Sequence, residues 1–391
     1  MSARQHAMIE PDLASLLEPL ERFERLRRKA SRLGDRLADL SYANPYAGAQ
    51  GAARGAIAEA LEDERLLDLQ YSPFGGQTLV RRTVAEALEE SHDLPVTFRD
   101  VVLTPGAMGA LHIALRTAAG SGDHVVIPVP CWLDYPLYAR HLGLQATLVE
   151  LEPPDFALDP EVLAAALTAS TCAVLLSHPA NPTGRSYGAD ELYALSAVLT
   201  EAENKLGCRP TLVADETHRD FVSPDRYLSA ASFVDRTVVV YSFGKYHFMQ
   251  GQRLGYATVS PNHPERAQAS DEMVQWTRIT GLCTPTALMQ RAVSRLLALR
   301  YDQSWLDQWR RRFLDELEQA GYLVAPPDGT LFLYVRTPHD ADDFAFIETL
   351  ASHGVLALPA PVFHHSGYFR LSLTGSESML ERALSALVAL R

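Results

Sequence analysis

Positive charge is in short supply in this sequence: 35 lysines and arginines face 48 aspartates and glutamates, a formal net charge of -13 over 391 residues. Displacing the counterions of a nucleic acid requires clustered basic residues, and no such stripe occurs, so a nucleic-acid partner is not expected. Cysteine is scarce too. Cys131, Cys172, Cys208 and Cys283 lie far apart with no CxxC pair, a pattern that fits reduced thiols in a cytosol better than a disulfide framework or a zinc knuckle. No window approaches about 18 uninterrupted apolar residues, and the opening MSARQHAMIEPDL lacks a basic patch followed by an apolar core. Neither a membrane span nor a secretory leader is therefore expected, and a cytoplasmic location is. The histidines show no HExxH or similar spacing, so no metal site is expected either. Internal repeats and low-complexity tracts are also missing.

Apolar material is plentiful, at 47% of residues against 21% charged, and the chain is longer than one compact core usually supports. A large domain with a smaller companion is expected. From Leu13 to about Leu40 apolar residues recur at helical spacing beside dense charge, which reads as one or two amphipathic helices. Beyond YSPFGG, short Val/Ile/Leu-rich runs (DVVLTPG, HVVIPVP, QATLVEL, CAVLLSHP, TLVADE, TVVVYSFGK) take turns with helical stretches. That alternation predicts an α/β fold around a mostly parallel sheet covered on both faces. The remainder reads as a long helical region from Thr286 to Ala320, then strand-like YLVAP, TLFLYV and YFRLSL between helices. The expected division is an arm at residues 1–50 joining the small domain, a large domain at 51–285 and a small α+β domain at 286–391.

In such sheets ligands sit in the crevice outside the carboxyl ends of the strands, so the residues just after each strand carry the chemistry. Gly106 in TPGAMGAL permits close backbone approach, and the helix that follows offers free N–H groups to a phosphate. Trp132 could stack on a heterocycle, or be a half-buried core ring. Asn181 in ANPTG could donate a hydrogen bond into the crevice, though NPTG is also a good turn. Asp215 ends an apolar strand, where a lone carboxylate is costly without a cation, and a protonated pyridine nitrogen would serve. Lys245 ends another, where desolvation lowers an amine's pKa and favours imine formation. Ser242 and Arg253 flank it and could hold a phosphate dianion.

Taken together, NPTG at Asn181, the DExxRDF-like run at Asp215 and the S-x-x-K-x(7)-R spacing from Ser242 to Arg253 resemble the fold-type-I pyridoxal-phosphate (PLP) enzymes. The likeness is to the aspartate-aminotransferase superfamily, class I/II aminotransferases, over roughly Tyr71 to the C-terminus. It implies the PLP-dependent transferase fold, with a mostly parallel seven-stranded sheet in the large domain. It also implies pyridoxal 5'-phosphate held as an aldimine on Lys245, which shuttles the substrate Cα proton, and Asp215 keeping the pyridinium protonated. Asn181 would bond the phenolate oxygen, Trp132 would stack on the ring, and Gly106, Ala107, Met108, Ser242 and Arg253 would anchor the phosphate. Arg370 would grip the substrate α-carboxylate, and Tyr71 would reach the neighbouring subunit's phosphate, implying a homodimer with shared active sites. Three departures stand out. His218 occupies the usual tyrosine position, where a histidine would titrate nearer neutral pH, Gly244 replaces a Ser or Thr, and SYANPYAG replaces a glycine-rich substrate loop.

A carboxylate clamp at Arg370 favours Cα–H removal over decarboxylation, so amino-group transfer between an amino acid and a 2-oxo acid is the expected reaction. The alternative is β/γ-elimination, replacement or carbon-carbon bond formation in specialised biosynthesis. A binding or regulatory module without catalysis is disfavoured, because Lys245, Asp215 and Asn181 occur together and no DNA-binding segment does. Tyr46, Trp132, His247 and Phe363 suggest a pocket with aromatic and polar walls, with Tyr46 and His247 beside Arg370 and Asn181 as substrate contacts. No second arginine is obviously placed for a distal carboxylate.

Overall fold

The computed structural model describes residues 10–44, 51–62 and 70–391. A helix at Pro11–Ala30 and a short 3-10 turn lead into the two-residue strand β1 (Ala38–Asp39). The central sheet is built from β2 (Val101–Thr104), β3 (His124–Val129), β4 (Gln145–Glu150), β5 (Thr171–Ser177), β6 (Thr211–Asp215), β7 (Thr237–Ser242) and β8 (Gly255–Val259). These form a seven-stranded sheet in the order β2-β8-β7-β6-β5-β3-β4, and β8 alone runs against its neighbours. The fold is α/β with a mostly parallel sheet, as the alternating pattern predicted.

Alternation along each strand explains how both faces are covered. Val125 and Ile127 pack with Ile113 and Met273 on one face, while Val126 packs with Leu192 and Leu195 on the other. Residues of β7 split in the same way: Val238 and Val240 join the first face, and Val239 and Tyr241 pack with Val84 and Leu88 of the helix Thr78–His92. Burying every position of β2, β3, β6, β7 and β8 requires this two-sided cover, which is why these strands read as continuous apolar runs. The edge strand β4 is mostly exposed and carries Gln145, Thr147 and Glu150.

The carboxy-terminal part forms β9 (Phe332–Arg336), β10 (Val355–Leu356), β11 (Leu358–Pro359) and β12 (Tyr368–Ser372). Strands β11, β12 and β9 make an antiparallel sheet, and β1 pairs in parallel with β10, tying the amino-terminal arm to this body. Two segments differ from the sequence pattern. YLVAP contributes only one isolated bridge, Val324 to Val335, rather than a strand. The expected helical region from Thr286 to Ala320 is two helices, Ala287–Ala298 and Ser304–Gln319. The first packs through Val293 and Leu296 against Val80 and Val84 of the large body, beyond the expected boundary at 285. Its apolar stripe is satisfied there, and a periodicity cannot say which body an amphipathic helix will cover. Among the described residues no helix is long and apolar enough to cross a membrane.

Gly255 opens β8 where a Cβ would lie 2.5 Å from the Tyr241 carbonyl oxygen and 2.8 Å from the Gly106 carbonyl carbon. Because both obstacles are backbone, they cannot rotate aside. Gly255→Ala should lower stability by about 1–3 kcal/mol, read as a fall in the urea midpoint at unchanged slope; an unchanged midpoint would contradict this packing.

Candidate active site

Strands β2, β3, β5, β6 and β7 all run in one direction, so their carboxyl ends open on one rim of the sheet. That rim gathers Gly106, Trp132, Asn181, Asp215 and Lys245, each at or just after the carboxyl end of a different strand. Lys245 lies in the short helix Phe243–Tyr246, whose N-cap is Ser242, with the Ser242 Oγ accepting from the Gly244 N–H at 3.2 Å. The lysine Nζ sits 5.9 Å from the centroid of the Trp132 ring. Burial, reinforced by the positive charge of Arg370, pushes the amine down from its ordinary 10.5 to about 8, while Asp215 pulls the other way.

Asp215 closes β6 and is buried. Its Oδ2 accepts from the Tyr135 hydroxyl at 2.7 Å and its Oδ1 from the Thr217 N–H at 3.1 Å. Burial raises its carboxyl above the ordinary range, and those two donors together with Lys245 hold it back. Tyr135 is fully buried and was not singled out in the sequence. The signal available was the Tyr-Pro pair three residues after Trp132, which looks like an ordinary helix start with proline in the first turn.

Arg370 is the largest fully buried side chain among the described residues. Its Nη1 donates to Asn181 Oδ1 at 2.7 Å, and its Nη2 donates to the Ser41 carbonyl at 2.7 Å. Its guanidinium lies 3.9 Å from the Phe332 ring centroid and 4.8 Å from that of Phe363, and its Nε has no hydrogen-bond partner among the described residues. Three chain regions therefore meet at one cation: the arm at Ser41, the loop after β5 at Asn181 and β12 itself. Since Asn181 turns its carbonyl oxygen to Arg370, its amide N–H₂ is left to donate elsewhere.

His218 is buried against Phe332, ring centroids 5.3 Å apart, with Nδ1 lacking a hydrogen-bond partner among the described residues. The expectation that it would titrate nearer neutral pH is corrected. Burial, with Lys245 and Arg370 nearby, pushes its pKa well below 6.5, so the ring is neutral at working pH.

Gly106 caps the helix Ala107–Ala118 with φ +81, a left-handed value that favours glycine, and a Cβ there would meet the Arg253 guanidinium at 2.7 Å. The Arg253 Nη2 donates to the Pro105 carbonyl at 3.4 Å, so a cation, an open helix N-terminus and the capped helix at Ser242 converge. Ala107 and Met108 occupy the first turn of that helix, Met108 largely exposed.

Several expected contacts fall elsewhere. His247 is not beside Arg370: its Nδ1 pairs with the Tyr301 hydroxyl at 3.0 Å and its ring stacks on Phe243. Only two residues after Lys245, about 200° round a helical turn, it points to the opposite face. His364 and His365, which were not among the expected contacts, pair with the Leu133 carbonyl and the Tyr334 hydroxyl. Tyr71 stands fully exposed at 105% relative exposure. Tyr46 lies outside the described residues. Among the described residues no group of three or more candidate ligands could hold a metal ion.

The model of the family described as aminotransferase class I and II matches residues 40–387. A similar relative is the aspartate/prephenate aminotransferase of Thermus thermophilus, 29% identical over 330 residues, covering 81% of each chain. Another is the probable aspartate aminotransferase of Methanocaldococcus jannaschii, 26% identical over 322 residues, covering 80% of this chain and 83% of its own. Among solved structures, the aspartate aminotransferase of Thermotoga maritima superposes with a TM-score of 0.85 at 24% identity over 98% of this chain and 99% of that one, a likeness of fold.

The displaced pKa of Lys245 bears on stability. The folded chain sheds this proton near pH 8, the unfolded chain near 10.5, so between those values the unfolded state binds more protons and stability rises with pH. Without cofactor, Lys245→Met should be more stable than the unsubstituted protein below about pH 8, by on the order of 1–3 kcal/mol. Denaturant unfolding from pH 7 to 10.5 should show that advantage shrinking as pH rises; a constant advantage would mean that the amine is not desolvated.

Proposed function

The chain belongs to the class I and II aminotransferases, a family that generally depends on pyridoxal phosphate, and on that premise we propose that it transfers the amino group of an amino acid to a 2-oxo acid with pyridoxal phosphate held on Lys245. It is an enzyme, a PLP-dependent transferase. The observation that carries the site assignment is the grouping of part-buried Lys245 with buried Asp215 and Arg370 on one rim.

The residues present fit the cofactor. Asp215 is a buried carboxylate with its two protein donors already in place and room in its charge balance for a cationic ring nitrogen. Gly106 leaves open a cradle that a Cβ would fill, beneath Arg253. When bound, the group supplies an electron sink for the bonds of the substrate Cα. Lys245 would hold its aldehyde carbon, Asp215 its ring nitrogen, and Asn181 and His218 its phenolic oxygen through an amide N–H and the unpartnered imidazole nitrogen. Trp132 would cover the ring face. Ser242, Arg253 and the backbone of Gly106, Ala107 and Met108 would take the phosphate.

Within that arrangement an amine with a pKa near 8 can accept and return a proton at Cα at neutral pH. Arg370 would take the α-carboxylate in a two-pronged grip, a geometry lysine cannot copy. Tyr71 has no cover on its own chain, which supports a homodimer in which it completes the neighbouring site. The four free cysteines fit a reducing, cytoplasmic setting. The large domain, extended to include the helix Ala287–Ala298, and the small domain after it would flank this rim. The elimination and replacement alternative finds no support among the relatives, whose names are those of aminotransferases. Several of those names specify aspartate, whereas Phe332 and Phe363 make the walls around Arg370 aromatic, so a donor panel must include both acidic and aromatic amino acids.

Reconstituted with pyridoxal phosphate, the protein should move an amino group from at least one standard L-amino acid to a 2-oxo acid, and borohydride should fix the cofactor on Lys245. Loss of a leaving group with no net amine transfer, or a fixed adduct elsewhere, would overturn the reading. Arg370→Lys should raise the KM for the amino donor roughly 10- to 100-fold, from loss of the paired charge-assisted hydrogen bonds; an unchanged KM would place the carboxylate elsewhere.

A further inference from the structure

The helix Ala287–Ala298 buries Met289, Val293 and Leu296 with Val80 and Val84 of the helix Thr78–His92. Gln290 stands on the same stripe and is fully buried. A leucine would fill such a position freely, whereas a buried carboxamide is destabilising unless its polar atoms are matched. Here they are. The Gln290 Oε1 accepts from the Gln77 N–H at 2.8 Å, and its Nε2 donates to the Ser72 Oγ at 3.0 Å and to the Pro285 carbonyl at 2.8 Å. Both amide N–H groups are used, and two of the three bonds reach 213 and 218 residues back along the chain to one short loop.

That loop, residues 71–77, has two unlike halves. Its inner half is fixed by the sheet: Gly75 and Gly76 are buried, the Leu103 N–H of β2 donates to the Gly75 carbonyl at 2.9 Å, and a Cβ on Gly76 would lie 2.5 Å from the Leu103 side chain. Its outer half has no such cover. Tyr71, Pro73 and Phe74 are exposed, so burial cannot set their direction. The bond from Gln290 ties down Ser72, the residue next to Tyr71, while its bond to the Gln77 N–H fixes the start of the following helix.

We propose that Gln290 is a positioning residue, which holds the loop from beneath so that Tyr71 is presented to the cofactor phosphate of a second copy of this chain. The inference rests on the reading given above, in which Tyr71 completes the neighbouring site. Gln290 itself is sealed between two helices and meets no ligand. Its effect is on freedom: a loop already pinned at Ser72 and Gln77 has less conformational entropy to lose when the Tyr71 hydroxyl docks across the interface. Cofactor affinity in one subunit is thereby set by an amide in the other.

Hybrid dimers separate the two contributions, because borohydride fixes the cofactor only on a chain that retains Lys245. With Gln290→Leu and Lys245→Ala on one chain and an unsubstituted partner, half-maximal fixation should need at least about fivefold more pyridoxal phosphate than with Lys245→Ala alone. With Gln290→Leu moved to the chain that keeps Lys245, the requirement should stay within about twofold of that control. Ser72→Ala, which leaves the packing between the helices intact, should show the same asymmetry at smaller size, and it keeps the test open if Gln290→Leu does not fold. Equal weakening in both arrangements, weakening only when the substitution shares a chain with Lys245, or no weakening in either would overturn the proposal. An unsubstituted protein that forms no dimer or fixes no cofactor on Lys245 would instead overturn the functional reading beneath it.

Discussion

Desolvating two cations beside one carboxylate is the constraint on which the structure turns. Lys245, Arg370 and Asp215 all lie in or near the crevice at the carboxyl ends of buried strands, where an isolated charge is expensive and only a nearly complete set of partners is tolerable. Each member is held by a different part of the chain. Asp215 is fixed by Tyr135 and Thr217, Arg370 by Asn181 and the Ser41 carbonyl, and Lys245 by the Ser242-capped turn. The arm, the sheet and the carboxy-terminal body thus converge on one electrostatic problem, and a change that loosens any of them is felt by the other two.

The site's polarity follows from the same source. Positive charge on Lys245 and Arg370, added to burial, keeps His218 neutral, so this imidazole behaves as a hydrogen-bonding group rather than a third cation. In an acidic protein the positive charge on this side of the rim is correspondingly local: it comes from Arg253, set against Gly106 and the helix that Gly106 caps, not from a broad basic surface. Close packing makes this possible. Gly106 and Gly255 face each other where no side chain fits, which lets the loop after β2 and the start of β8 approach to backbone contact.

The far side of the same segments carries a second polar problem, in which the buried Arg219 is held by the Tyr256 hydroxyl and neutralised by Glu216 and Asp220. Both sides of the loop after β6 are thus electrostatically specified. One side is directed at the rim, through Asp215 and His218, and the other away from it.

Local sequence was enough for six of the seven strands of the central sheet, β2 to β7, and for the groups at their ends, because a strand buried on both faces must be apolar throughout and any charge at its tip is then conspicuous. Asp215 and Lys245 were legible for that reason, and Asn181 and Gly106 as turn residues that directly follow such strands. Tertiary structure alone decided the rest. Tyr135 became the partner of Asp215 across 80 residues of sequence, Arg370 found Asn181 and Ser41 across 189 and 329, and His247, adjacent in sequence to the helix that carries Lys245, turned away toward Tyr301. The helix Ala287–Ala298 settled on the large body, and burial made His218 neutral where its ordinary pKa suggested otherwise. Hydrophobic periodicity reports whether a residue is buried, but which distant group it is buried against, and hence its charge and hydrogen-bond partner, exists only once the chain has closed.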